Sequence, residues 1–345
     1  MGNAWTILVA ILIFDVLIIV HELGHYLFAR LFKVGIIEFS IGMGPKLYGR
    51  KSKKTGIDYS IRLLPIGGYV SMVGENEDAG DAPNSFANQK AWKKIVITVA
   101  GALVNIVVGF AVMFSYVLAT PVYGGTTVAN FNSEDAPSYV AGLREGDIIL
   151  SIDGNRTITG DDVVYQISMN GYKPVDIVVE RQGSEIVLED VQFATEENQG
   201  VTFGVLDFKI YAVEKNFTNV AKMTFSQCKS SVTMVFDSLR GLISGRFGVE
   251  HMSGVVGTTQ AIGNAVSHGI TELLYFCAVI AVNLGIFNLL PIPALDGGHL
   301  IFHVIELFRG KPMNQKYESI IHAIGMILLL LLVAIVTVND IAKLF

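Results

Sequence analysis

Four long apolar runs constrain this chain more than any other feature of its sequence. They cover residues 4–20, 95–119, 273–290 and 320–338; the first contains one charged residue, Asp15, and the other three contain none. A helix of about 20 apolar residues crosses the hydrocarbon core of a bilayer. The whole chain is 51% hydrophobic and 16% charged, whereas a soluble domain carries about 25% charged residues. We therefore predict a polytopic α-helical membrane protein with four transmembrane helices.

Lysine and arginine residues orient these spans, because they accumulate in cytoplasmic loops. Eleven of them lie between the first two runs and three lie in the short link before the last run, whereas none precedes the first run. We therefore expect both links in the cytoplasm, and both termini and the segment from about residue 121 to residue 270 outside it. A net charge of −6 argues neither for nor against a nucleic-acid partner, and none is predicted; the expected partner surface is the lipid bilayer.

The first run leads directly into HELGH, which places His21, Glu22 and His25 at the end of a membrane helix. Histidines four residues apart project from one face of a helix and can share one Zn²⁺ ion, and the glutamate beside them can take a proton from a water on that ion. Ionisable residues inside a membrane helix are expensive and usually functional. The motif therefore predicts His21 and His25 as zinc ligands and Glu22 as general base.

The third run supplies a candidate for the third protein ligand that a catalytic zinc site needs. Its apolar stretch ends at Leu290 and is followed by Pro291, Pro293 and the sequence LDGG, which contains Asp296. Prolines interrupt a helix, and irregular backbone at membrane depth is tolerated only where it is buried in protein or lines a wet cavity. The charge argument puts Asp296 and HELGH on the same, cytoplasmic side, so we predict that they meet.

A small soluble domain is predicted between the second and third runs. The stretch AGLREGDIILSIDG combines strand-like alternation with the turn signal Asp153-Gly154, and this pattern resembles a PDZ domain, a fold that binds peptides by strand addition. Two alternatives stay open: a groove that takes a peptide C-terminus, and a spacer or steric filter without a ligand. Apolar residues at helical spacing then predict an amphipathic connector, which lies either on the outer membrane surface or on the PDZ domain.

Taken together, HELGH on the first span, the PDZ-like pattern after the second and NLLPIPALDGG on the third resemble the site-2 protease family of intramembrane zinc metalloproteases. The likeness is to the bacterial regulator-of-sigma-E type with a single PDZ domain, and it covers essentially the whole chain. It implies an endopeptidase of the bacterial inner membrane that cleaves single-span membrane proteins, such as anti-sigma factors or remnant signal peptides. It also implies zinc ligation by His21, His25 and Asp296, catalysis by Glu22, and substrate binding around Asn288, Pro291 and Pro293.

Two glycine-punctuated, strand-like stretches, IGMGPKLYG and YSIRLLPIGGYVSMVGE, interrupt the basic cytoplasmic segment. The resemblance implies a membrane re-entrant β-hairpin or sheet here, whose exposed edge can hold an unwound substrate, with Gly67 and Gly68 as its turn. An ordinary peripheral hairpin is the alternative. In the second span, Gly101 and Asn105 suit close helix packing with an interhelical hydrogen bond, and the resemblance also allows Asn105 to line the substrate site.

The predicted fold class is thus a four-helix membrane protein with a membrane-associated β region and one extracytoplasmic PDZ (α+β) domain. Residues 1–30 form the first transmembrane helix with HELGH, residues 31–93 a cytoplasmic loop with the β region, residues 94–120 the second transmembrane helix, residues 121–200 the PDZ domain, residues 201–270 the amphipathic helical connector, residues 271–308 the broken third transmembrane helix with LDG, and residues 309–345 a cytoplasmic link and the fourth transmembrane helix.

Three further polar residues have no assigned role in this scheme. Asp15, two turns before Glu22 on nearly the same helix face, is expected to face the bundle or a water path as a neutral acid without catalytic function. His299 is expected not to bind the metal, because three ligands leave the open position that catalysis requires, and His322 is expected to make a helix–helix hydrogen bond. Two rival functions remain: a membrane PDZ scaffold with a non-catalytic metal site, and a transporter.

Overall fold

The computed structural model describes residues 3–75, 82–198, 200–248 and 252–343. The chain divides into two compact units, one formed by Met1–Ala111 with Met252–Phe345 and the other by Val112–His251. In chain order the elements are α1 (Asn3–Leu31), β1 (Ile36–Lys51), β2 (Asp58–Met72), α2 (Ala91–Ala119), β3 (Tyr123–Phe131), α3 (Pro137–Val140), β4 (Ile148–Ile152), β5 (Asn155–Arg156), α4 (Gly160–Asn170), β6 (Val175–Arg181), β7 (Ser184–Val191), β8 (Ala194–Asn198), β9 (Val201–Val205), β10 (Phe208–Val213), α5 (Phe217–Ile243), α6 (Val255–His268), α7 (Ile270–Leu289), α8 (Asp296–Arg309) and α9 (Gln315–Ala342).

Four helices among the described residues are long and apolar enough to cross a membrane. They are Trp5–Leu31, Ala91–Ala119, Ile270–Leu289 and Lys316–Ala342, and they coincide with the four apolar runs of the sequence. Their outward side chains are apolar: on α9, Leu328, Leu330 and Leu331 are each more than half exposed. An exposed apolar surface of this extent marks a membrane or interaction surface, which agrees with the predicted membrane class.

Small residues bring the helices of the first unit close together. Gly24 of α1 lies against the backbone of α2, since a Cβ atom there would lie 2.5 Å from the carbonyl oxygen of Ala100. Gly109 of α2 lies equally close to α7, where the added atom would lie 2.7 Å from a methyl group of Val282. Close backbone approach at small residues is how membrane helices pack, and here it sets the spacing between α1, α2 and α7.

The first unit also contains the two long strands β1 and β2, which hydrogen-bond to each other. The chain reverses at residues 52–57, where Ser52 N–H donates to Ile57 O at 2.8 Å. Strand β2 itself reverses between residues 62 and 68, because β1 residues 38–41 pair in rising order with residues 58–61 and in falling order with residues 71–68. The predicted turn at Gly67 and Gly68 lies at the end of this reversal, where Gly67 has a φ of +77°, a conformation that glycine adopts without steric cost.

The second unit is built around a six-stranded sheet with the strand order β10-β3-β4-β6-β7, in which β5 pairs with β4. Helix α4 begins at a capping box formed by Thr159 and Asp162. Twelve buried apolar side chains form the core of this unit: Val128, Leu143, Ile149, Ile152, Val163, Ile167, Val175, Ile177, Val179, Val191, Phe193 and Phe208. The structure thus has an α+β domain after α2, and its assignment as a PDZ domain stays a prediction.

The predicted helical connector over residues 201–270 differs from the structure in two ways: it begins with strands, and its helical part is divided into two helices. Strand β10 pairs with β3, with Phe208 opposite Phe131, so the sheet domain extends beyond residue 200. The helical part consists of α5 in the second unit and α6 in the first. Helix α5 packs on α4, where Ser226 and Ser230 donate hydrogen bonds to the carboxylate of Asp162. Of the two alternatives for the connector, the contacts of α5 agree with packing on the sheet domain.

Candidate metal centre

The two histidines of HELGH lie on one face of α1 and converge on one point. His21 and His25 are 7% and 9% exposed, and their Nε2 atoms are 3.1 Å apart. A separation of four residues on a helix brings side chains onto the same face. The two imidazoles therefore present two nitrogen donors to a common position inside the protein.

The break between α7 and α8 brings Asp296 to the same position. Asp296 is the first residue of α8, and its Oδ2 lies 3.0 Å from His21 Nε2 and 3.2 Å from His25 Nε2. The break is tightly folded: a Cβ atom on Gly297 would lie 1.9 Å from the carbonyl oxygen of Leu290, and Ala294 adopts a φ of +78°. The chain thus requires glycine, and accepts backbone strain, to place this carboxylate.

The three donor atoms fit a zinc ion. Two ligands at about 2.0–2.1 Å from a tetrahedral zinc lie roughly 3.3 Å apart, close to the separations of 3.0, 3.1 and 3.2 Å among the two Nε2 atoms and Oδ2. A set of two imidazoles and one carboxylate is also a donor set of catalytic zinc sites. His21, His25 and Asp296 are therefore the residues that could hold the metal.

A second layer of contacts fixes the imidazoles. The Nδ1 atom of His25 donates to the carbonyl oxygen of Ile97 at 2.9 Å, which leaves the Nε2 lone pair free for a metal. His21 Nδ1 lies 3.4 Å from the side-chain amide of Asn105, which is fully buried. An amide can turn either end towards a ring; with its oxygen inward, Asn105 accepts the Nδ1 proton and its otherwise unpartnered Oδ1 gains a donor.

Glu22 lies beside the metal ligands and contacts β2. Its Oε2 accepts a hydrogen bond from the Val70 N–H at 3.1 Å, and a Cβ atom on Gly68 would lie 3.9 Å from its Cγ. Gly67, three residues before Val70, donates its N–H to the Asp15 carboxylate at 3.0 Å. The structure thus brings Gly67 and Gly68 to α1, and Asp15 to the β region.

The remaining predicted substrate residues lie around the helix break. Asn288 is half-buried in the last turn of α7. Pro291 is exposed, and Pro293 lies against α9, where a Cβ atom on Gly325 would lie 2.3 Å from the Pro293 Cβ. Asn288 and Pro291 are thus near Asp296 along the chain, whereas the contact described for Pro293 supports the packing of the break on α9.

A second group of potential ligands, His299, Glu318 and His322, lies between α8 and α9. Its geometry favours hydrogen bonding over metal binding. The rings of His299 and His322 are stacked 3.6 Å apart with an interplanar angle of 13°, so their in-plane lone pairs do not converge. His322 Nδ1 accepts the Ala294 N–H at 3.0 Å, and His299 pairs with Glu318 at 2.9 Å. The ring of His322 thus stacks on α8, but its hydrogen bond goes to the helix break and not to another helix as the sequence predicted.

Sequence reasoning missed the residues that act through their backbone. The Ile97 carbonyl orients His25, and the Val70 N–H holds Glu22. Gly24 inside HELGH was also missed as a packing residue, although a glycine within a membrane helix is a signal of close helix contact, as was predicted for Gly101.

These features define a membrane-embedded metallopeptidase: helices apolar enough for a bilayer, a buried donor set for one zinc ion, and a glutamate beside it. The chain matches the model of peptidase family M50 over residues 9–332, and it belongs to this family. It is 31% identical to zinc metalloprotease RasP of Shouchella clausii, with 99% of each chain covered. It is 29% identical to regulator of sigma-W protease RasP of Bacillus subtilis, again with 99% of each chain covered. The chain is thus a zinc metalloendopeptidase.

Proposed function

We propose that this protein cleaves the transmembrane segments of single-span substrates in regulated intramembrane proteolysis. The observation that carries the proposal is the convergence of His21, His25 and Asp296, beside Glu22, at the end of an apolar helix. The name of the Bacillus subtilis relative, regulator of sigma-W protease, agrees with anti-sigma factors as one substrate class. Remnant signal peptides are the second class.

In this proposal His21, His25 and Asp296 hold Zn²⁺, which when bound polarises the scissile carbonyl and lowers the pKa of a water molecule. Glu22 accepts the proton of that water and then delivers it to the leaving amine. Asn288 is assigned to the substrate backbone or the developing oxyanion. Asn105, which contacts the ring of His21, is assigned to the orientation of this ligand.

A transmembrane helix hides its own peptide bonds, so it must be unwound before hydrolysis. Residues 68–72 of β2 pair with β1 on one side, and Val70 within this stretch donates to Glu22. An extended peptide can add to a strand edge through main-chain hydrogen bonds. The β region is therefore proposed to be a membrane re-entrant sheet that holds the unwound substrate, with Gly67 and Gly68 at the point of closest approach to α1.

The sheet domain of the second unit is proposed to be an extracytoplasmic PDZ domain that filters substrates by size or by their C-terminus. The distribution of lysine and arginine supports an inner-membrane topology with both termini and this domain outside. The metal centre then lies near the cytoplasmic face.

The test is cleavage of a model single-span substrate by purified wild type and by Glu22→Gln. We expect the variant to lose essentially all turnover and to retain one zinc ion per chain, because the three ligands are untouched. Glu272→Gln is the matched control, since Glu272 is exposed in the first turn of α7 and should cleave like wild type. Cleavage by Glu22→Gln at the wild-type rate, or a wild type that binds no zinc, would refute the proposal in favour of a transporter or a scaffold.

A further inference from the structure

Asp15 is the one charged residue in the first apolar run, and the structure gives it a specific contact. Its Oδ1 accepts the backbone N–H of Gly67 at 3.0 Å. Gly67 is buried and has a φ of +77°, so the strand is bent where the bond forms. A carboxyl group within a membrane helix is expensive, and the metal centre does not include it.

The Asp15 contact is one of a matched pair. Seven residues separate Asp15 from Glu22, which corresponds to about 10.5 Å along a helix on nearly the same face. Three residues separate Gly67 from Val70, which corresponds to about 10 Å along a strand. The two carboxylates therefore accept two backbone N–H groups with nearly equal spacing, at 3.0 and 3.1 Å, and β2 lies in register along α1.

The two bonds differ in what the reaction demands of them. If Glu22 takes the proton of the attacking water, it becomes a neutral acid, and its bond to the Val70 N–H weakens because it is no longer charge-assisted. Asp15 takes no part in proton transfer, so its bond to Gly67 persists. We propose that Asp15 is a positioning residue, which holds the bend of β2 against α1 and so keeps the substrate-binding strand aligned with Glu22 and the metal ligands.

This inference rests on the proposed function, because it concerns how the substrate strand is held. The test compares Asp15→Leu, which removes the acceptor, with Asp15→Asn, which keeps an acceptor oxygen at the same place. The substrates are a model single-span protein and a short water-soluble peptide that spans its cleavage site. Leu12→Ala is the control on the same helix, because Leu12 is 62% exposed.

For Asp15→Leu we expect kcat/KM on the single-span substrate to fall about 10-fold, the effect of one lost hydrogen bond. The change should lie mainly in KM, with the zinc content and the pH profile unchanged. Asp15→Asn should recover activity to within about 3-fold of wild type, since the neutral amide still accepts the Gly67 N–H. Amide hydrogen exchange of residues 67–70 should accelerate in the leucine variant and not in the asparagine variant.

Wild-type kcat/KM in Asp15→Leu would overturn the inference, and so would an asparagine variant as impaired as the leucine variant. Loss of zinc from Asp15→Leu would overturn it as well, because the residue would then support the metal centre. Glu22→Gln is run in the same assay. An inactive Glu22→Gln beside a fully active Asp15→Leu rejects the positioning role alone, whereas an active Glu22→Gln rejects the proposed function.

Discussion

Gly101 of α2 lies so close to His25 of α1 that a Cβ atom on Gly101 would lie 2.5 Å from the His25 Nε2. The same atom would lie 2.9 Å from Cε1 of His21. The absence of a side chain on α2 therefore makes room for both imidazoles, and the metal centre depends on a residue that binds no metal.

Gly101→Ala should consequently displace both histidines and weaken zinc binding. Disturbing the groups that orient metal ligands typically costs about 10–100-fold in affinity, and we expect a loss in this range by competition with a chelator. Gly109→Ala is the control, because its Cβ atom would meet Val282 of α7 at a similar distance without touching a ligand. Equal zinc affinities for both variants would show that general helix packing, and not the histidine contact, matters.

The loop that carries Asp296 should depend on His322. Ala294 adopts a φ of +78°, and strain of this kind costs about 1–3 kcal/mol and persists only where its surroundings enforce it. His322 supplies one such constraint by accepting the Ala294 N–H. We expect His322→Leu to speed zinc release about 10-fold, as expected when a buried N–H loses its acceptor.

The comparison for this prediction is His299→Ala. The His299 side chain is 47% exposed and pairs with Glu318, so its loss leaves the Ala294 bond in place and should change zinc release little. Faster release from His299→Ala than from His322→Leu would mean that the stacked pair, and not the bond to Ala294, holds the loop.

The helices and the donor set were predictable because their signals are local. An apolar run needs no partner to be recognised, and HELGH places two ligands and a base within five residues. Asp296 was predicted from the prolines that interrupt the third apolar run and from the LDGG sequence that follows them, which are also local signals. The contacts that align these parts join residues far apart in the chain: Ile97 lies 72 residues from His25, and Gly67 lies 52 residues from Asp15.

The turn predicted at Gly67 and Gly68 was a local signal as well, because a glycine pair in a strand-like stretch usually marks a turn. The contact that requires a glycine at residue 68 was not local, because β1 lies against it: a Cβ atom on Gly68 would lie 2.6 Å from the carbonyl oxygen of Ser40. This requirement comes from tertiary packing, which no local pattern contains.

The β region should lose protection when Glu38 is neutralised. Partial burial by itself raises the pKa of Glu38, but hydrogen bonds from Ser60, Tyr69 and Arg62 outweigh it and hold this pKa below its usual range. A lowered folded-state pKa contributes stability above the unfolded value of about 4.3, and this contribution is lost as the pH falls through the folded value. Glu38→Gln should reproduce the acid state at neutral pH.

We expect Glu38→Gln to reduce the local stability of the two strands by about 0.5–1.5 kcal/mol, measured by amide hydrogen exchange at neutral pH. In this variant the local stability of the two strands should also no longer fall as the pH drops below about 4.3, the unfolded-state pKa of a glutamate. Asp58→Asn serves as the control, because Asp58 and Lys46 form a more exposed pair, and such pairs contribute about 0–1 kcal/mol. A pH dependence unchanged in Glu38→Gln would assign it to another carboxylate.

The buried ion pair between Lys94 and Glu306 should decide how firmly α2 and α8 hold together. The Lys94 ammonium donates to both Glu306 oxygens at 2.9 and 3.0 Å, and the side chains are 5% and 13% exposed. Helix α2 carries Gly101 and Asn105, and α8 begins with Asp296. Lys94→Met leaves a buried carboxylate without its partner, a change that typically costs about 3–5 kcal/mol.

We therefore expect Lys94→Met to lower the thermal unfolding temperature in detergent and to release zinc at a lower temperature than wild type. Adding Glu306→Leu should restore most of the loss, because an apolar pair of similar volume removes the unpaired charge. Lys173→Met is the comparison for an exposed pair, with Lys173 49% exposed opposite Asp153, and should change stability by less than about 1 kcal/mol. A double variant less stable than Lys94→Met would mean that the side-chain volume of the pair, and not its charge, holds the two helices together.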